Sequence, residues 1–340
     1  MNLRNKIAVA VATTLTSLSA VAQLMQSHST EIPMSFTNWN IATQLPKFDP
    51  NLGVLKSVKF NYTGKIETQF AFENRSRLAR SWSAELKGQV SSKLQNLDLD
   101  LFQIPLSTLF TDTRQGFDGV LDFAGPSGIR TNPILMQESR NQVFDLSNSS
   151  YSYMANFIGT DNLVFQNSSS ALSYYNGPGD YRYVVRTTAG AQQSVDYVYE
   201  KAQCARSPGY WKNHIKKLGV TQLTIAGMTY NQMQLLNILQ SETTSGVKSN
   251  SPYIKLARAV IAAKLSIIKI NAQFIYVLPY ISQAEQLLTG VSLNEKTANI
   301  SKQQKEEILN LKNELEKFHN GQDYNQPGVC KNQEDDCKED

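Results

Sequence analysis

The stretch "SVDYVYEKAQCARSPGYWKNH", residues 194–214, changes its rule partway along. Val195, Tyr197 and Tyr199 alternate with Ser194, Asp196 and Glu200, the period-2 pattern of a strand with one wet face. Past Lys201 the alternation stops. Cys204 leads into Ser207-Pro208-Gly209, and then Tyr210, Trp211, Lys212, Asn213 and His214 set two aromatics, a cation, an amide and an imidazole side by side. A boundary therefore falls near residues 200–204, with β structure before it and something else after.

Working back from the boundary, residues 24–200 read as β throughout. Val58, Phe60 and Tyr62 alternate with Ser57, Lys59 and Asn61. After Thr63-Gly64 come Ile66, Phe70 and Phe72, with Lys65, Glu67, Gln69 and Glu73 between them. Period 2 on both sides of a glycine predicts a hairpin turning at Thr63-Gly64. "LDLDLF" at 97–102 repeats the alternation, with Leu97, Leu99 and Leu101 expected to face in. Tyr181, Tyr183 and Val185 alternate up to Ala189-Gly190, a second expected turn. Clusters such as "GPSG", "SNSS" and "YNGPGD" separate the runs. Many short strands, each with a single wet face, predict an antiparallel β-sandwich.

Beyond Cys204 the period lengthens. Met233, Leu236 and Leu239 stand at helical spacing. Ser251 and Pro252 are start signals for a helix whose apolar stripe is Ile254, Ala257, Ile261, Leu265 and Ile268. Ser301 with Gln304 three residues on is a capping-box pattern, opening a helix that sets Ile308, Leu311, Leu315 and Phe318 on one face. Residues 331–340 form an acidic, polar tail. The expected fold class is an all-β sandwich followed by a small, mainly α-helical domain, α+β overall and multidomain. The expected segments are 1–22, 24–200, 204–330 and 331–340.

The 340 residues carry a formal net charge of +4. That is no field for nucleic acid or an acidic membrane surface. Arg4 and Lys6 precede "IAVAVATTLTSLSAVA", which ends in Ala20-Val21-Ala22. This is the pattern of a secretory signal peptide cleaved after Ala22, so the chain is expected to be secreted or extracytoplasmic with no transmembrane segment once mature. Outside the cytoplasm disulfides persist, and the three cysteines are Cys204, Cys330 and Cys337.

Two pieces resemble families of exported bacterial proteins. "LPKFDPNLGVLKSVKFNYTG" at 45–64 and "ANFIGTDNLVFQNSSSALSYYNGPGDYRYVVRTTAGAQQSVDYVYE" at 155–200 resemble the choice-of-anchor E domain. That resemblance implies a β-rich fold in a family named for its variable C-terminal surface anchors. Gly209 to His214, "LTIAGMTYNQMQLLNIL", "IKLARAVIAAKL" and "FHNGQDYNQPGVC" resemble a module built on a GYWKNH motif. There the resemblance implies a hairpin-like lead into a helix, a central helix and a closing cysteine, and it favours pairing Cys204 with Cys330. A local Cys330–Cys337 bridge is the alternative, though it would constrain little. Members usually carry Pro after the motif's His, where this chain has Ile215. Neither resemblance implies an activity.

Three readings of the motif compete. As structure, Tyr210 and Trp211 bury large apolar surface while their OH and N–H find partners; this is the preferred reading. As a binding surface, Tyr210, Trp211, Lys212, Asn213 and His214 would meet an extracellular glycan or a surface protein, and Tyr174 and Tyr175 beside "NGPGD" are a second aromatic candidate. As catalysis, the chain lacks the usual spacings. Its three histidines, His28, His214 and His319, make no HExxH pattern, and there is no GxSxG, P-loop or GxGxxG. Asp98 and Asp100 share a face but read as the solvated side of a strand. No catalytic residue, cofactor or metal is assigned. The expected role is that of an exported, non-catalytic surface or extracellular-matrix-associated protein that binds or builds. The alternative is a secreted enzyme acting on a polysaccharide or peptide polymer.

Overall fold

A computed structural model describes residues 23–177, 179–294 and 300–320. The expected leader at 1–22 and the expected tail at 331–340 lie outside these residues. In chain order the elements are β1 (Leu24–Phe36), β2 (Asn40–Pro46), β3 (Val54–Asn74), β4 (Arg80–Leu94), β5 (Leu99–Arg114), β6 (Gly128–Arg130), β7 (Ile134–Asp145), the single turn α1 (Tyr151–Met154), β8 (Asn162–Asn176) and β9 (Tyr181–Glu200). Then follow α2 (Pro208–His214), β10 (Gln222–Ile225), β11 (Met228–Asn231), α3 (Gln232–Leu239), α4 (Pro252–Ile270), α5 (Leu278–Leu288) and α6 (Lys302–His319).

The strands up to Glu200 form two antiparallel sheets. One runs β1-β9-β3-β6, with β7 also on β3; the other runs β2-β8-β4-β5. Their inner faces meet ring on ring. Phe60 on β3 lies edge-on to Phe165 on β8 at 5.8 Å, Tyr62 stacks on Phe102 of β5 at 5.5 Å, and Phe72 stacks on Trp82 of β4 at 4.2 Å. Two buried phenols are tied to backbone: Tyr62 donates to Ser91 O at 3.2 Å and Tyr197 to Pro46 O at 2.7 Å. Burial satisfies the rings, and these bonds satisfy the hydroxyls that burial would otherwise strand.

The two expected glycine turns are not turns. β3 runs unbroken for 21 residues through Thr63-Gly64, and β9 runs for 20 residues through Ala189-Gly190. The two sites are neighbours, since Gly64 pairs with Ala191 and Lys65 with Gly190. Their glycines mark close approach. A Cβ on Gly64 would come within 3.1 Å of Val90 Cβ on the facing sheet. A Cβ on Gly190 would meet Ile32 O at 2.8 Å, beside the bulge where β1 slips register between Ile32 and Ser35. Glycine inside a strand marks such contacts and bulges as well as turns. The true reversal between β4 and β5 lies at 95–98. Leu97 sits in a short 3-10 turn, Asp98 takes a left-handed φ of 51°, and the strand resumes at Leu99. Asp98 is exposed and pairs with Lys93 at 2.5 Å, which holds its carboxyl below the usual range.

After Glu200 the helical elements begin, with α4 as their axis. Ile254, Ala257, Ile261 and Leu265 of the expected stripe are buried, while Ile268 is not. All four stripe residues of α6, Ile308, Leu311, Leu315 and Phe318, are buried. Ser301 caps Gln304 N, and the Gln304 side chain reaches back to Ser301 N, as the capping-box pattern requires. In α3 the buried face is Leu235, Ile238 and Leu239, with Met233 60% exposed. Of the expected stripe Leu239 is buried and Leu236 partly so, and Met233 alone faces out.

Strand and helix parts touch through a polar tether. Gln273, just past α4, is buried and donates to Pro50 O at 3.0 Å and Gly53 O at 2.7 Å, while its own carbonyl accepts from Phe274 N. Phe274 meets Tyr151 of α1 edge-on at 5.1 Å.

Candidate functional site

Ser207 and Pro208 start α2 as their types dictate. The Ser207 side chain accepts from Tyr210 N at 3.3 Å, and Pro208 occupies the first turn, where its missing N–H costs nothing. The seven-residue helix then presents alternate roles. Trp211 points in and is fully buried. Its indole N–H donates to Ser266 Oγ on α4 at 3.2 Å.

Ser266 is a hub. Its hydroxyl donates to Ala262 O at 2.7 Å and accepts from Arg206 N at 3.0 Å as well as from the indole. One buried side chain thus joins the central helix, the strand-to-helix linker and the motif. Sequence reading missed it, although a lone serine in the phase of buried apolar residues in "AKLSII" is the kind of signal that marks such a group.

Tyr210 and His214 stack face to face at 4.0 Å, 8° apart, and Tyr210 meets Trp211 edge-on at 5.4 Å. The Arg206 guanidinium lies 5.3 Å from the Tyr210 ring centre. His214 Nδ1 is 2.8 Å from Tyr210 O. A carbonyl can only accept, so in this contact Nδ1 carries the hydrogen. Lys212 and Asn213 point outward and are exposed. Ile215, in the place usually held by Pro, is buried and donates its N–H to Trp211 O at 2.9 Å, a bond that proline could not make. The motif thus offers its surroundings one ammonium, one amide and an imidazole edge, while its large rings pack inward or against each other.

Cys204 is buried and is not a free thiol. Cys330 and Cys337 lie outside the described residues.

Tyr174 and Tyr175 are far along the chain from the motif, near the end of β8. Tyr174 is 51% exposed, with Lys87 Nζ 5.5 Å from its ring centre. Tyr175 turns inward and stacks on Tyr183 at 5.1 Å and Phe72 at 5.6 Å. Burial and the neighbouring Tyr181 raise its phenol above the ordinary range. Of the two candidate tyrosines, Tyr174 is therefore a surface residue, while Tyr175 is half-buried and packs against the core. Among the described residues no group of three or more His, Cys, Asp or Glu side chains is arranged to hold a metal.

No family model matches the chain, and no characterised protein matches it in sequence. Among solved structures it is similar to the VP2 protein of infectious bursal disease virus, at 10% identity over 52% of this chain and 36% of that one, with a TM-score of 0.18. It is also similar to Desmodium yellow mottle tymovirus, at 12% identity over 60% of this chain and all of that one, with a TM-score of 0.15. The chain thus spans little more than a third of the VP2 chain, and likenesses this slight carry no argument about fold or role.

Proposed function

We propose that this is an exported, non-catalytic surface or extracellular-matrix-associated protein that works by binding or as a structural part. One observation carries the reading: the motif richest in chemical groups spends them on packing. Trp211 is a fully buried plug on Ser266, Tyr210 stacks on His214, and the imidazole Nδ1 bonds to a backbone carbonyl of its own helix. The exposed Lys212, Asn213 and Tyr174 are left as the contact residues for an extracellular glycan or surface protein.

The same proposal divides the chain into a β-sandwich at 24–200, similar to the choice-of-anchor E domain, and a GYWKNH module at 204–330 behind a leader cleaved after Ala22. Cys204 pairs with Cys330 in this arrangement. Non-reducing peptide mapping is expected to return a Cys204–Cys330 peptide, and a Cys330–Cys337 peptide would overturn that pairing.

A binding screen against soluble glycans and peptidoglycan fragments tests the role. Tyr174→Ala and Lys212→Ala are expected to weaken any hit about tenfold with the melting temperature unchanged, as loss of an exposed contact residue does. A hydrolytic turnover that His214→Ala abolishes without a change in melting would instead identify an enzyme.

A further inference from the structure

The sheet β2-β8-β4-β5 carries a step on its outer face. Trp82, Ala84 and Leu86 of β4 are buried toward the other sheet, so strand alternation turns Ser81, Ser83 and Glu85 outward. β8 ends at Asn176, opposite Ser83, whereas β4 and β5 continue as a pair to Arg80 opposite Arg114. A depression of about 680 Å³ lies where β8 stops, bordered by Ser81, Ser83, Thr111 and Thr113 on the two continuing strands and by Asn176 and Gly177 at the end of β8. Below it Trp82 and Tyr175 stack at 5.9 Å, which fixes the end of β8 against β4.

Register places an aromatic ring beside this depression. Asn176, Ser83 and Thr111 form one row across the three strands, and Tyr174, Glu85 and Leu109 form the next. Residues two apart along a strand are about 7 Å from each other. A ligand in the depression therefore reaches the half-exposed Tyr174 ring. Lys87, the cation near that ring, stands in the row on the opposite side.

The chemistry of the step narrows its occupant. Glu85 is paired with Lys87 at 3.1 Å and Asp112 with Arg114 at 2.6 Å, so the charges cancel locally. That leaves no hold for an anionic polymer, which needs unpaired cations. The centre of a protein interface is apolar, yet apart from the buried Trp82 the depression is bordered by hydroxyls, an amide and an ion-paired carboxylate. Ser81 and Thr113 bond to each other at 2.8 Å. The hydroxyls of Ser83 and Thr111 and the carboxamide of Asn176 make no side-chain hydrogen bond to another described residue. Short free donors and acceptors next to an exposed aromatic face match a sugar, whose rings carry hydroxyls at the rim and C–H groups on the face.

We propose that this step binds a short run of a neutral oligosaccharide, with one ring on the Tyr174 phenol and the next bonded to Ser83, Thr111 and Asn176. The inference rests on the reading above that the chain binds an extracellular ligand, and it fixes the class and place of that ligand.

Isothermal titration calorimetry with neutral oligosaccharides of glucose, mannose and N-acetylglucosamine tests it, with a polyuronate as the charged comparison. At least one neutral chain is expected to bind and the polyuronate is not. Tyr174→Ala is expected to weaken binding about tenfold, and Tyr174→Phe, which keeps the ring, to recover most of that loss. Ser83→Ala combined with Thr111→Val is expected to weaken it about tenfold, through hydrogen bonds lost. Circular dichroism checks the fold of each variant, and should the double variant misfold, the Tyr174 pair decides. Failure of every neutral chain to bind overturns the proposal, as does binding of the polyuronate alone. Binding that falls with Lys212→Ala and ignores the Tyr174, Ser83 and Thr111 substitutions also overturns it, while the wider reading of a glycan-binding protein stands.

Discussion

Replacing Trp211 with alanine is expected to lower the unfolding free energy by about 3–5 kcal/mol, the cost of emptying a large aromatic site that cannot collapse. The site cannot collapse because its walls are held independently of the ring. α4 contributes the Ser266 hydroxyl, which stays bonded to Ala262 O and Arg206 N when the indole is gone. Ile215, one turn on from Trp211, is itself buried. Trp211→Phe separates the two contributions of the side chain. It keeps most of the apolar volume and removes the N–H donor, so the lost hydrogen bond should account for about 1 kcal/mol of its cost. Urea unfolding followed by circular dichroism measures both variants. A cost below about 1 kcal/mol for Trp211→Ala would mean that the ring does not hold the motif to the central helix, and the packing argument for Tyr210 to His214 would fall with it.

The strands show how much of this was legible in residues alone. Val58, Phe60, Tyr62, Ile66, Phe70 and Phe72 are all even-numbered, and all are buried in one strand. An unbroken parity across Thr63-Gly64 was itself the sign of a continuous strand. Ala189-Gly190 repeats the lesson, since Tyr181, Val185, Val195 and Tyr197 are all odd-numbered and share one strand. Within the strand a glycine reads locally as a turn because local propensity cannot see Val90 on the other sheet or the bulge in β1. Helix starts fared better, because caps are local. The two expected starts, Ser251 and Ser301, stand at N-caps, whereas Ser207, which caps α2, is a start that the sequence reading does not include.

At the candidate site the motif's membership was legible but its division of labour was not. Spacing alone does not say that Trp211 faces α4 while Lys212 and Asn213 face solvent. It also does not reveal Ser266 and Gln273, whose partners lie 55 and more than 200 residues away along the chain. α5 escaped the sequence reading as well. Its start at Leu278-Pro279 has no side-chain cap, and only Ile281, Ala284 and Leu288 of its residues are buried.

His319 gives the second large effect, and it depends on pH. The ring closes α6 and is fully buried, and burial drives its pKa down to about 3, opposed by a hydrogen bond to the Ala259 backbone. In the unfolded chain a histidine takes up its proton near pH 6.5. Below that pH the unfolded state therefore binds a proton that the folded state refuses, and stability falls as the pH falls. The slope approaches about 1.4 kcal/mol per pH unit and persists until the folded ring itself titrates. Between about pH 6 and pH 4 the loss through this one ring is expected to reach roughly 2–3 kcal/mol. Asp98, Asp145 and Asp161 are held below the usual carboxylate range, by Lys93, Ser147 and Lys47 respectively, so their own losses begin at lower pH. His319→Leu isolates the term. Whatever the substitution costs near neutrality, the variant lacks the titrating group, and the gap between it and the parent chain should narrow by roughly 2–3 kcal/mol from about pH 6 to about pH 4 in urea unfolding. A gap that stays constant over that range would show that His319 takes up its proton in the folded state, and that α6 does not seal its last turn against α4.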